Sequence, residues 1–144
     1  SGPCKADLQI MAEQLSLTNV TFLDAVTKKE MPFILKAIDI AIIPLKKLDL
    51  FKGAIPSKIF ENLAMKVPIL LGVEGEAKKL FIDEAKAGVF FEPENALDLS
   101  EKVLEILKNE DKIKELGENG AKYVAQKFNR DTLAQLFYNQ LRSL

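Results

Sequence analysis

The sequence contains no histidine, no tryptophan and a single cysteine among its 144 residues. Without histidine, the chain lacks the commonest general base at neutral pH and every Ser-His or Cys-His nucleophile arrangement. The one cysteine, Cys4, has no partner for an intrachain disulfide or a zinc site, and we expect an unpaired thiol in a reducing compartment. The enzyme mechanisms left to this chain therefore use carboxylates, lysines, backbone amides or the charge of a substrate.

The sequence also has no excess of either charge and no long apolar run. Its 20 Lys and Arg residues nearly balance 21 Asp and Glu residues, which argues against a nucleic-acid-binding module with a strongly basic surface. No stretch approaches the roughly 20 apolar residues that cross a bilayer. No signal peptide is recognisable at the start, so we expect a cytoplasmic protein.

Strand and helix patterns alternate along the chain, which predicts an α/β fold with a parallel sheet flanked by helices. Strands are predicted at 20–23, 39–43, 67–71 and 88–91. Helices are predicted at 6–15, 28–38, 56–64, 77–87, 95–107, 111–116, 118–128 and 130–143. Asn95 and Asn129 are expected to cap helices at their N-termini, and Gly117 to stop one.

The most informative segment follows the second predicted strand, where ligands of open parallel sheets bind. Pro56 presets a first helical turn. The amides of Ser57, Lys58 and Ile59 are then free at a helix N-terminus, and with the helix dipole they form an anion site suited to phosphate. The Lys58 side chain adds a positive charge. Gly53 lets the backbone approach a ligand closely.

Glu61 is expected one helical turn below this anion site, about 5.4 Å along the axis and on the face of Ser57 and Lys58. A carboxylate there can accept hydrogen bonds from both hydroxyls of a ribose whose phosphates lie at the helix tip. The alternative interpretation is a capped helix with an exposed Lys58–Glu61 ion pair, worth under about 1 kcal/mol. The lysines within 46–52 are interpreted as part of a solvated loop. No aspartate pair suited to a divalent metal is present.

Five blocks of the sequence together resemble one protein family. They are residues 1–3, 20–23, 37–40, 56–69 and 117–120, of which the block PSKIFENLAMKVPI at 56–69 is the most specific. In this order, they resemble the C-terminal, donor-binding half of a GT-B glycosyltransferase. The nearest branch is the retaining family four that builds bacterial surface polysaccharides and lipopolysaccharide.

By this resemblance, the chain is a Rossmann-like domain that faces a second such domain across a cleft. Its ligand is a nucleotide sugar, usually UDP-linked, and the sugar passes with retention to a glycan or lipid-linked acceptor. The acceptor binds mostly in the absent half. The nucleotide sugar is the substrate, so no cofactor, metal ion or nucleic acid is implied. The resemblance leaves open a peripheral membrane association of the whole protein.

The resemblance also implies roles for particular residues. Glu61 matches the glutamate that binds the ribose hydroxyls, and the amides around Ser57 and Lys58 match the diphosphate site. Ile55 and Gly53 fall in the same substrate-binding segment. The loop at Val26 and Thr27 matches the region that borders the base. No residue of the chain is identified as catalytic.

The resemblance also implies that residues 1–144 form one donor-binding domain whose first strands precede Ser1. The last helix, 130–143, matches one that crosses to the N-terminal domain. Because a sheet without its central strands should be unstable, we expect a rearranged or domain-swapped sheet, an oligomer, or pairing with another chain.

Three features depart from the family pattern. Gly53 stands where the family commonly has the first of two glutamates eight positions apart, the basic pair that grips the diphosphate lies upstream of Ser1, and Asp24-Ala25 replaces a usual glycine. Two alternatives therefore stay open. One is a non-catalytic α/β interaction domain, which the glycine at 53 fits. The other is a nucleotide-sugar epimerase of GT-B shape, which the absence of histidine disfavours.

Overall fold

The computed structural model describes residues 2–143, so Ser1, part of the first block of the resemblance, lies outside the described residues. The chain divides into two compact units, Ser1–Pro32 and Phe33–Leu144. The first unit begins with helix α1, Lys5–Gln14, as predicted, and α1 buries none of its side chains. Its Lys5 ammonium forms an ion pair with Asp24 at 2.5 Å, which holds the pKa of that carboxyl below its usual range.

The strand predicted at 20–23 is wrong. Residues 20–27 form no helix or strand, and within residues 2–143 the strands that pair lie in the second unit. The segment has the β-branched and aromatic composition of a strand. However, a strand is stable only when its N–H and C=O groups find a neighbouring strand.

The second unit is built on a parallel sheet of three strands in the order β1-β2-β3. They are β1 Ala41–Pro44, β2 Ile69–Gly72 and β3 Gly88–Phe90. The register pairs Ala41 with Ile69, and Ile69 with Gly88. All of β2 is buried, as expected of a central parallel strand covered on both faces. The α/β class and these three predicted strands are confirmed.

From the resemblance we expected a rearranged sheet. The described strands instead follow chain order, so that rearrangement is not observed. Swapping between copies and pairing with another chain stay predictions. In the part of the chain that the structure describes, β1 is an edge strand whose outer side has no partner strand. Its residues alternate between buried and exposed.

The remaining helices connect and cover these strands. They are α2 Met31–Leu35, α3 Lys58–Ala64, α4 Glu76–Lys78, α5 Ala96–Ile106, α6 Glu110–Lys127 and α7 Arg130–Arg142. A 3₁₀ helix, Asp49–Gly53, lies between β1 and α3, and α4 continues as a π-helix over Lys79–Glu84. The two predicted caps are confirmed, since the Asn95 and Asn129 side chains accept backbone N–H bonds of α5 and α7. The helix predicted at 28–38 is shorter, because a tight turn from Ala37 N–H to Ile34 C=O ends it.

Gly117 does not stop a helix, contrary to the sequence prediction, because α6 runs through it without a break. Gly117 is buried, and a Cβ there would collide with the carbonyl oxygen of Lys66. A Cβ on Gly120 would likewise press against the Leu63 side chain, at 2.6 Å. These glycines therefore let α6 lie close against α3 and the turn that follows it.

The core lies between the sheet, α3 and α6. Phe81, Ile59, Leu63 and Ile69 are fully buried there. Next to them, the rings of Phe60, Phe81, Tyr123 and Phe128 contact one another with centroids 5.0–6.2 Å apart. This core fixes α3 on the sheet and sets the C-terminal end of α6 beside the start of α3.

Candidate functional site

The candidate site is built on α3, which is held by one face and exposed on the other. Ile59 and Leu63 anchor the helix, and both are fully buried. Ser57 and Glu61 lie on the exposed face. The four-residue spacing places Ser57 and Glu61 close together, about 40° apart around the helix axis.

The first turn of α3 is tighter than the sequence predicts. The Ile59 N–H donates to the Pro56 carbonyl at 3.0 Å, and the Phe60 N–H donates to the Ser57 carbonyl at 3.1 Å. The Ile59 amide is therefore not free, which corrects the prediction of three free amides. The Ser57 and Lys58 N–H groups make no hydrogen bond within the described residues. Two adjacent donors stay available at this end of the helix.

Ser57 and Glu61 both line one groove, which we call the Glu61 groove, of about 570 Å³. Its walls are α3, the C-terminal half of α6 and the start of α7. Phe60 and Phe128 contribute apolar surface, and Ser57, Glu61 and Arg130 are the polar side chains that line it. A mainly apolar wall with a few polar groups is typical of small-molecule sites.

The Glu61 carboxylate is free for a ligand. Among the described residues it forms neither a hydrogen bond nor an ion pair, and the Lys58–Glu61 pair of the alternative interpretation is not formed. Lys58 is exposed and does not line the groove. The alternative interpretation of Glu61, as half of an exposed ion pair with Lys58, is therefore wrong.

Gly53 and Ile55 lie outside the Glu61 groove. Gly53 ends the 3₁₀ helix, and a Cβ there would meet no atom within 4 Å. Ile55 is partly buried and packs against the core. The structure thus brings Ser57 and Glu61 together, and it does not place Gly53, Ile55 or Lys58 with them.

Val26 and Thr27 belong to the first unit. Val26 is partly buried. Thr27 donates its N–H and its hydroxyl to the Glu30 carboxylate at 2.9 and 2.7 Å. The backbone bond, followed by the hydroxyl, lowers the pKa of Glu30. Thr27 therefore shapes a local turn, and its role beside a base stays a prediction.

A second, smaller cavity, of about 100 Å³, lies where the loops after β1, β2 and β3 meet. The β1–α3 loop, residues 45–57, supplies Lys46, Lys47 and Lys52, and the other loops supply Glu74 and Pro93. These lysines are exposed, in agreement with their interpretation as part of a solvated loop. Lys47 and Lys52 also form ion pairs with specific carboxylates.

Lys47 makes two long-range bonds. Its ammonium contacts Glu92 Oε1 at 2.6 Å, and its N–H donates to Glu94 Oε2 at 3.0 Å. The bond from Lys47 holds the pKa of Glu92 below its usual range. No spacing in the sequence marks this pairing, since the partners are 45 and 47 residues apart. The one signal for this pairing in the sequence is that both loops follow strands of a parallel sheet and so leave the same edge of it.

In residues 2–143, no three His, Cys, Asp or Glu side chains are grouped so that they could hold a metal ion. Over the same residues, no helix has both the length and the apolar character that crossing a membrane requires.

The chain matches a known family over most of its length. The family model described as "Glycosyl transferases group 1" matches residues 1–123. That range is most of the chain and includes the β1–α3 loop and α3. No curated protein sequence matches the chain.

Comparison with solved structures finds similar folds at low identity. Sucrose-phosphate synthase from Thermosynechococcus elongatus matches with a TM-score of 0.79 and 17% identity, over 100% of this chain and 37% of that one. A mutant of S. aureus TarM, in complex with fondaparinux, alpha-GlcNAc-glycerol and UDP, matches with a TM-score of 0.76 and 19% identity, over 96% and 27%.

A third similar structure is the C-terminal domain of a glycosyl transferase group 1 family protein, LpcC, from Francisella tularensis. Its TM-score is 0.69 at 18% identity, over 88% of this chain and 63% of that one. At such identities the likeness concerns the fold. The chain spans between 27% and 63% of the length of these proteins.

Proposed function

We propose, from the premise that this chain belongs to the glycosyl transferases group 1 family, that it supplies the donor-binding side of a glycosyltransferase. The donor is a sugar linked to a nucleoside diphosphate, in our proposal UDP. The observation that carries the proposal is the Glu61 groove, where Glu61 and Ser57 share one face of α3 and the carboxylate has no other partner. The complex of the TarM mutant with UDP supports the choice of nucleotide.

In this proposal, the ribose lies against Glu61. Each hydroxyl of the diol donates a hydrogen bond to the carboxylate, and hydrogen bonds to a charged acceptor are among the stronger ones. The Ser57 and Lys58 amides, one turn closer to the helix tip, face the diphosphate. Their distance from Glu61 along the helix suits the separation of a ribose from its phosphates.

The chemical step breaks the bond between the anomeric carbon and the phosphate oxygen of the donor, and negative charge grows on that oxygen as it leaves. The acceptor hydroxyl oxygen forms the new bond to the same face of the anomeric carbon, and its proton passes to the departing diphosphate. The preorganised Ser57 and Lys58 amide donors stabilise that charge without reorganisation of water. We propose transfer with retention, to a glycan or lipid-linked acceptor of a bacterial surface polysaccharide.

The last helix supports a two-domain arrangement. α7 buries none of its side chains, and Leu136, Phe137 and Leu141 are each more than half exposed. An apolar face of this kind needs cover. We propose that α7 packs against a second Rossmann-like domain, which also binds the acceptor. The isolated chain then binds nucleotide sugars weakly and transfers no sugar.

The test is isothermal titration of the chain with a panel of UDP-, GDP- and ADP-linked sugars. We expect measurable binding of a UDP-sugar by the wild type, and a loss of about tenfold or more in the variant Glu61→Ala. The matched control is Glu101→Ala, because Glu101 is an exposed helical glutamate on α5. Equal affinity of Glu61→Ala and the wild type would refute the role of Glu61, and no binding of any nucleotide sugar by the wild type would favour an interaction domain instead. Robust transfer by the chain alone would refute the proposed dependence on a second domain.

A further inference from the structure

The β1–α3 loop is tied across the carboxyl edge of the sheet by Lys47. β2 lies between β1 and β3, so the bonds from Lys47 to Glu92 and Glu94 pass over the end of the central strand. They join the loop after β1 to the turn after β3. The loop is otherwise long, running from Pro44 to Lys58 with a single 3₁₀ helix inside it.

The acceptor end of this tie is itself fixed. Glu92 Oε2 accepts a bond from the Asn95 amide at 3.0 Å, and the Glu92 N–H donates to Asp98 Oδ2 at 2.6 Å. Asn95 in turn caps α5. Glu94 has a left-handed backbone, with φ of 63°. Lys47 therefore binds to a turn whose shape is set by the helix cap rather than to a pair of loose carboxylates.

A second support lies further along the loop. Gly75 has φ of 82°, and a Cβ there would collide with the carbonyl oxygen of Lys52. The β2–α4 turn therefore touches the loop at Lys52, while Lys47 fixes its beginning. Beyond Lys52 the loop leads directly to Ser57 and the exposed start of α3.

We propose that Lys47 is a positioning residue for the nucleotide-sugar site: it holds the β1–α3 loop in the conformation that presents the start of α3. The inference rests on the proposed function. The Lys47 and Glu92 side chains are 51% and 47% exposed, so their ion pair contributes little to global stability. Removing the ion pair should increase the number of loop conformations and lower the fraction of molecules in the binding-competent conformation. The apparent Kd then rises in inverse proportion to that fraction.

The experiment compares Lys47→Met, Lys47→Arg and Lys52→Met in the full chain. Lys52 is the matched control because it lies in the same loop and carries the same charge, but its partner, Asp49, is local. Chemical-shift titration with UDP and UDP-glucose measures affinity. Amide hydrogen exchange over residues 46–55 measures the order of the loop, and thermal unfolding measures stability.

We expect Lys47→Met to weaken binding about three- to tenfold and to speed exchange in the loop, with the melting temperature within about 2 °C of the wild type. Lys47→Arg should restore most of the affinity, and Lys52→Met should stay within about twofold of the wild type. Unchanged affinity in Lys47→Met, or an equal loss in Lys52→Met, overturns the inference alone. A wild-type chain that binds neither probe overturns the proposed function and the inference with it.

Discussion

Tyr123 joins the aromatic cluster to the surface. Its ring contacts Phe81 and Phe128, and its hydroxyl donates to Glu84 Oε2 at 2.9 Å. Burial, and then the bond to Glu84, raise the pKa of Tyr123 to about 12. The neutral phenol is therefore the form that the folded chain favours. The hydroxyl is a small group, but its ionisation links the stability of the α6 region to alkaline pH.

The first prediction concerns Tyr123→Phe. At neutral pH, loss of the hydroxyl bond should lower the free energy of unfolding by about 1 kcal/mol. In the unfolded chain tyrosine ionises near pH 10, so above that pH the wild type loses stability until its folded pKa is passed. The phenylalanine variant lacks this loss. We expect the difference between the two proteins to narrow between about pH 10 and 12.

Urea unfolding at several pH values measures this difference. Both proteins contain the same lysines, so the effect of lysine titration on stability cancels in the difference. Tyr138, which is exposed on α7, provides the control variant Tyr138→Phe. A constant gap between wild type and Tyr123→Phe across the alkaline range would contradict the prediction.

Among single residues, the sequence predicts Ser57 and Glu61 as neighbours because their spacing on a helix is a local property. It could not predict Lys47, whose partners are brought to it by the parallel sheet. It also counts Ile59 as a free amide, because a tight first turn cannot be distinguished from an open one by residue type. The part of the candidate site that lies on one helix can be predicted from the sequence, and the part formed by loops from different strands cannot.

The long helix α6 illustrates how an element depends on its neighbours. Two glycines lie inside it, and from its residue type Gly117 is predicted to end a helix. In the structure, Gly117 marks a close contact with the Lys66 carbonyl. The same distinction explains the strand predicted at 20–23, whose composition is right but which lacks a partner. Caps such as Asn95 and Asn129 were predicted because their bonds lie within three residues.

The second prediction is that Gly117→Ala is destabilising, although alanine is the better helix former by about 1 kcal/mol. The added methyl group would displace α6 from the turn after α3, and overpacking of this kind costs about 1–3 kcal/mol. Chemical denaturation measures the change. Gly53→Ala serves as the control because a Cβ there meets no atom within 4 Å, and its effect should stay within about 0.5 kcal/mol. A Gly117→Ala chain as stable as the wild type would show that α6 is free to shift.

At the scale of the whole molecule, the second unit has one well-packed core and an apolar surface that is left uncovered. The sheet, α3 and α6 enclose the core. Leu136 and Phe137 of α7 lie outside it, at 57% and 62% exposure. The α/β class follows from the alternating pattern of the sequence, whereas the order of the three strands was not predicted from it. The exposure of the apolar face of α7 does not follow from it, because the pattern of an amphipathic helix is the same whether or not another part of the chain covers that face.

The third prediction compares two leucines. Leu136→Ala on α7 should change the free energy of unfolding by no more than about 0.5 kcal/mol, since Leu136 packs against little. Leu116→Ala on α6 should cost about 2–5 kcal/mol, because Leu116 is 3% exposed. Denaturation of both variants tests this, and sedimentation velocity shows whether Leu136→Ala also reduces self-association. A large loss in Leu136→Ala would mean that α7 packs on this chain.

The proline at the end of β1 has a consequence for aggregation. Ala41 and Leu45 direct their N–H groups to the β2 side, so by alternation Ile42 and Pro44 face the open edge. Proline has no N–H to offer. A guest strand that tried to extend the sheet, as in cross-β growth, would therefore find a single amide donor where two are usual. The open edge of β1 is thus a poor template for foreign strands.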